Sequence, residues 1–129
     1  MTARSTGIDW PPDYTAVLAD RLARFNKLKD DPDLQWQARL YYATRPIEWI
    51  EHWAVTYDPR KAGSGQPTKM PFILFPRQRE FVEFLDACLN AQTDGLCEKS
   101  RDMGMTWLCC AYAVWLWLYR PGASVGFGS

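Results

Sequence analysis

The residues whose types and spacing best suit chemistry are Lys99, Ser100, Arg101, Asp102, Met103, Gly104, Met105 and Thr106. They resemble a phosphate-binding loop, G-x-x-x-x-G-K-[ST]. In that loop, backbone amides cradle phosphates, a lysine meets the β- and γ-phosphates, and a hydroxyl holds Mg²⁺. Gly104 and Thr106 keep the closing glycine and the hydroxyl. Met105 stands where the lysine belongs, and Lys99 where the first glycine belongs. Lys99 can reach the phosphates from the start of the loop, and Arg101 adds a planar guanidinium suited to phosphate oxygens. Taken alone, the same letters also describe a surface turn holding a glycine and two basic residues.

The flanking segments favour the phosphate reading. Asp94-Gly95 reads as a turn, and Leu96-Cys97-Glu98 as a short buried strand. Thr106 to Tyr119 is an almost wholly apolar stretch. It is too short for a bilayer, which needs roughly 20 residues. An all-round apolar helix of this kind is expected to be buried within a layered domain. Arg120-Pro121-Gly122 ends it, and Ala123 to Phe127 reads as a second strand. Strand, loop, helix and strand make a βαβ unit, whose loop presents helix N–H groups and the positive end of the helix dipole to an anion.

A second element precedes the loop. Phe72 to Gln78 leads into a helix whose apolar stripe is Phe81, Phe84, Leu85, Cys88 and Leu89. The Gln78 amide carries both a donor and an acceptor and can pair with the N6 and N7 edge of adenine. Phe75 supplies a stacking or packing face. By itself Gln78 is also a plain first-turn polar residue. Joined to the loop, the element points to ATP.

The 129 residues fit one domain by length, and 47% hydrophobic content with seven tryptophans supplies a core. Fifteen basic and fifteen acidic residues balance, so no global electrostatic footprint for DNA exists. Cys88, Cys97, Cys109 and Cys110 show no zinc spacing and read as core thiols in a reducing cytoplasm. The N-terminus carries no apolar signal stretch.

The first half reads as helical. Asp13 to Leu28 is an amphipathic helix with Tyr14, Val17, Leu18, Leu22 and Phe25 on one side. Asp20, Arg21, Arg24 and Lys27 form its solvated face. Leu34 to Ala43 and Pro46 to Trp53 follow as helices, and Arg60 to Lys69 as a flexible loop. His52 beside Glu48 and Glu51 reads as an exposed surface group. The aromatic group Trp36, Tyr41, Tyr42, Trp49 and Trp53 offers base-binding faces, with core packing the favoured reading.

The elements Phe75-Pro76-x-Gln78 and Lys99 to Leu108 resemble the large terminase subunits of tailed bacteriophages. Trp53 to Arg60 and Ser124 to Ser129 support the likeness, which covers the second half of the chain well and the first half loosely. The resemblance implies an α/β fold, the start of an ASCE-type P-loop ATPase domain with parallel strands. A helical segment at residues 1–65 would precede the ATPase part at 66–129. It implies ATP and Mg²⁺ as cofactors, with Thr106 serving the metal through the nucleotide. Arg101 matches an arginine thought to stimulate hydrolysis. The implied partners are double-stranded DNA, a portal protein, a small terminase subunit and further copies in a ring, with no membrane. The implied location is the host cytoplasm, docked on the procapsid. Members of this family also use a later strand ending in Asp-Glu, a coupling motif and a nuclease domain. None is visible here, so the chain reads as an N-terminal piece, inactive alone. A helicase-like ATPase and a non-catalytic relic are the alternative readings.

Overall fold

The computed structural model describes residues 10–97 and 104–128. Side-chain caps set the first two helix starts. Asp13 caps α1 (Tyr14–Leu28) by accepting from the Thr15 and Ala16 amides. Asp31 caps α2 (Pro32–Tyr42) by accepting from Leu34 N–H at 3.0 Å. Proline occupies the first turn of α2, α3 (Pro46–Trp53) and α4 (Pro76–Ala91), where its missing N–H costs nothing. The last helix is α5 (Met105–Tyr119). A short antiparallel pair joins α3 to α4: β1 (Val55–Tyr57) lies on β2 (Lys69–Pro71), with Thr56 opposite Met70. The connection, expected as a loose loop, contains a 3₁₀ turn at Pro59–Lys61 capped by Asp58.

The described residues are mostly helical, and their one sheet is this pair. Residues 96–97 and 123–127, expected as strands, lie in no sheet, and Leu96 and Phe127 are exposed. A parallel strand needs a neighbour and cover on both faces. Among the described residues these segments have neither.

One core serves both halves of the chain. Ile50 of α3 packs with Phe72, Leu74, Val82, Leu108, Tyr112 and Trp115. Trp115 stacks on Tyr112 at 5.5 Å and donates its indole N–H to the Tyr42 carbonyl at 2.8 Å. That bond ties α5 to the end of α2.

Three expectations about helix faces are corrected. On α1, Val17 is buried, but Leu18, Leu22 and Phe25 are more than half exposed. Arg21, expected in solvent, turns inward instead and donates to the carbonyls of Glu51 and Ala54 at 2.8 and 2.7 Å. Those carbonyls close α3 and lack helical partners, and they sit at the negative end of its dipole. Two charge-assisted bonds offset burial of the guanidinium and fix the rotation of α1. Burial, then the Arg24 charge, lowers the Arg21 pKa to about 10, so it stays protonated at neutral pH.

On α5, only the Leu108, Tyr112 and Trp115 face is fully buried, while Trp117 is 72% exposed and Trp107 and Val114 are also exposed. The expected all-round burial needs elements on every side of the helix. The described residues cover one. The cysteines follow the same pattern: Cys97 and Cys110 are exposed, not core thiols.

The third correction concerns α3. Glu51 is fully buried and pairs with Arg79 of α4 at 3.1 Å. His52 is half-buried, its Nδ1 2.7 Å from the Tyr42 hydroxyl. Burial, with Arg24 next in weight, pushes the His52 pKa down to about 4. A neutral ring inside a hydrogen bond replaces the expected surface group.

Candidate nucleotide-binding site

Two of the expected site residues meet across the fold. Gln78 lies in the first turn of α4, and its side-chain oxygen accepts the Phe75 N–H at 3.2 Å. This is half of a capping box, since phenylalanine has no acceptor to complete it. Gly104 is the N-cap of α5 and sits in the left-handed region at φ 69°. A Cβ at Gly104 would stand 3.0 Å from Gln78 Nε2. Glycine therefore answers two demands at once: positive φ and close approach of a side chain. The Gln78 amide thus abuts Gly104.

Gln78 is buried, and Phe75 packs its ring against Trp10 at 5.9 Å. The Phe75 face is thus a packing face for a neighbouring tryptophan. Beyond Gly104, Met105 packs against the core cluster, so its apolar chain points to the interior. Thr106 is exposed in the first turn of α5. The N–H groups of that turn have no intrahelical acceptors, and among the described residues the N-cap position makes no side-chain cap hydrogen bond. Such a terminus favours an anion.

Lys99, Ser100, Arg101, Asp102 and Met103 lie outside the described residues, as does Glu98. Among the described residues no cluster of histidine, cysteine or carboxylate groups suits a metal ion. Thr106, the one residue expected to serve the metal, lies within the described residues. No described helix is long and apolar enough to cross a membrane.

Sequence reasoning missed the buried Glu51–Arg79 pair, the Arg21 clamp and the bond from the Tyr112 hydroxyl to Asp86 at 2.9 Å. Burial first, then that bond, raises the Tyr112 pKa well above its usual value. A charged residue within an apolar face is the available signal. Glu51 lies one position from buried Ile50, on the face that packs against α4. Set against protein-family models, curated proteins and solved structures, the chain matches none.

Proposed function

We propose that this chain is the nucleotide-binding part of a phage DNA-packaging ATPase, a large terminase subunit. In this reading ATP hydrolysis drives double-stranded DNA into the procapsid. The observation that most supports it is the approach of Gln78 to Gly104 at the start of α5. Two elements some twenty-five residues apart in sequence come within contact, as one ATP site requires. The inward course of Met105 supports a reading in which Lys99, alone or shared with Arg101, meets the phosphates and Arg101 stimulates hydrolysis. Thr106 would place its hydroxyl on nucleotide-bound Mg²⁺, and Phe75 and Gln78 would form the adenine side. Portal protein, small terminase subunit and further copies in a ring are the partners this reading carries.

Calorimetric titration with magnesium-ATP tests it. Lys99→Ala is expected to weaken binding about 10- to 100-fold, the worth of a charge-assisted contact. Met105→Ala should change affinity by less than about threefold, because methionine offers phosphate no charge. Equal small losses would remove Lys99 from the site. Absence of ATP binding by the unmodified chain would overturn the reading.

A further inference from the structure

Helices α2 and α3 and the end of α5 surround an open cavity of about 490 Å³ that neither Gln78 nor Gly104 lines. Its walls include Trp36, Tyr42, Trp49, Trp53 and Tyr119, with Arg39 beside them. A volume of this size suits a small-molecule ligand. The aromatic faces have not collapsed on one another, and Trp36 remains 61% exposed.

The floor is held from behind. Tyr42 is bonded through its hydroxyl to His52 and through its carbonyl to the Trp115 indole. Its ring meets Trp53 edge-on at 6.4 Å. The lining amide of Gln35 is tied to the Leu28 carbonyl at 2.6 Å. Arg39 is the one charged group in the lining; it enters no salt bridge among the described residues, and no acidic side chain lines the space. Burial raises the Tyr119 pKa, Tyr42 adds to the rise, and Arg39 opposes it, as a cation near that hydroxyl must.

We propose that this cavity binds a small planar aromatic anion, its ring on the tryptophan walls and its negative group on Arg39. The lining decides the charge. Aromatic faces alone would attract a cation, but Arg39 repels one and accepts a carboxylate or phosphate. Ring stacking on Trp36, Trp49 and Trp53 supplies the remaining affinity, independent of base or ring identity. The proposal stands whether or not the loop at Lys99 to Thr106 binds ATP.

Nuclear magnetic resonance of the tryptophan indole N–H signals tests it on the full 129-residue chain. The probes are uridine monophosphate and indole-3-acetate, each beside its neutral counterpart, uridine and indole-3-acetamide. A response to the first pair assigns a nucleotide, and a response to the second an aromatic carboxylate. Either anion is expected to shift the Trp36, Trp49 and Trp53 signals and to bind about tenfold tighter than its neutral form. Trp36→Ala should weaken binding about tenfold through lost stacking. Arg39→Gln should abolish the preference for the anion while neutral binding persists. Unshifted indoles at millimolar probe, or equal affinity for anion and neutral form, would overturn the proposal. So would concentration-dependent shifts at these three indoles without probe, which would mean that a second copy fills the space.

Discussion

The two ends of α5 share one helix and offer opposite chemistry. At the N-terminal end, left-handed Gly104 lies beside the Gln78 amide and caps the helix without a side-chain hydrogen bond. At the C-terminal end, Leu118 and Tyr119 join an aromatic cavity with a single cation, Arg39. Between Met105 and Tyr119 the helix carries no charged side chain. Its ends therefore draw their character from backbone geometry at one end and from α2 and α3 at the other. The helix acts as a strut, held at Leu108, Tyr112 and Trp115.

Removing that hold is expected to break both ends together, with the largest effect of any change considered. Trp115 is 1% exposed. Trp115→Ala should cost about 3–5 kcal/mol, the usual range for emptying a large aromatic site. It also removes one of the two bonds to the Tyr42 carbonyl, which keeps the Arg45 N–H at 3.1 Å. Trp115→Phe keeps most of the packing and loses the bond, so about 0.5–1.5 kcal/mol is expected. Urea denaturation followed by far-ultraviolet circular dichroism ranks the two. Equal losses would mean that the indole N–H, not the ring volume, holds α5 in place.

The two ends also differ in how much of them could be read from sequence. Helices α1, α3 and α5 were legible from the stretches Asp13 to Leu28, Pro46 to Trp53 and Thr106 to Tyr119, because helix-forming patterns act locally. The Gln78–Gly104 approach lay half in view: both residues stood out by type, while their closeness depends on how α4 and α5 pack. The aromatic cavity was hidden. Trp36, Tyr42, Trp49 and Trp53 have the composition of a core, and only the angles of three helices leave space between them. The faces of α1 were misread for a related reason. Periodicity placed Arg21 outside, but the Glu51 and Ala54 carbonyls that it meets at the end of α3 are invisible in a local window.

A double-mutant cycle sharpens the polar end. Gly104→Ala should cost about 1–2 kcal/mol for a left-handed Cβ, and the 3.0 Å approach to Gln78 Nε2 adds to it. Gln78→Ala removes the group being approached. If the contact matters, Gly104→Ala should be milder in that background by at least about 0.5 kcal/mol, the coupling typical of touching residues. Denaturant midpoints of the four proteins measure it. Strict additivity would leave φ as the whole reason for glycine and would weaken the case for one joint site.

The smallest expected effect tests the aromatic end through its backing. His52 is held neutral behind Tyr42, its pKa lowered from 6.5 to about 4, first by burial and then by Arg24. The unfolded chain binds this proton more readily than the folded one. Stability from the neutral ring is therefore complete above about pH 6.5 and is lost as pH falls towards 4. The ring is only half-buried, so solvent screening reduces the contribution to about 1 kcal/mol. Carboxylates titrate in the same window, and a variant separates them. His52→Gln keeps a polar partner for the Tyr42 hydroxyl and does not titrate. Between pH 7.5 and 4.5 the unmodified chain should lose about 1 kcal/mol more than His52→Gln in urea titrations. The Trp36, Trp49 and Trp53 indole signals should shift over the same range only when His52 is present, because Tyr42 joins the ring to the cavity floor. Parallel pH profiles for the two proteins would show that His52 titrates as it does in water. The cavity floor would then lack the dry backing that distinguishes it from the solvent-facing start of α5.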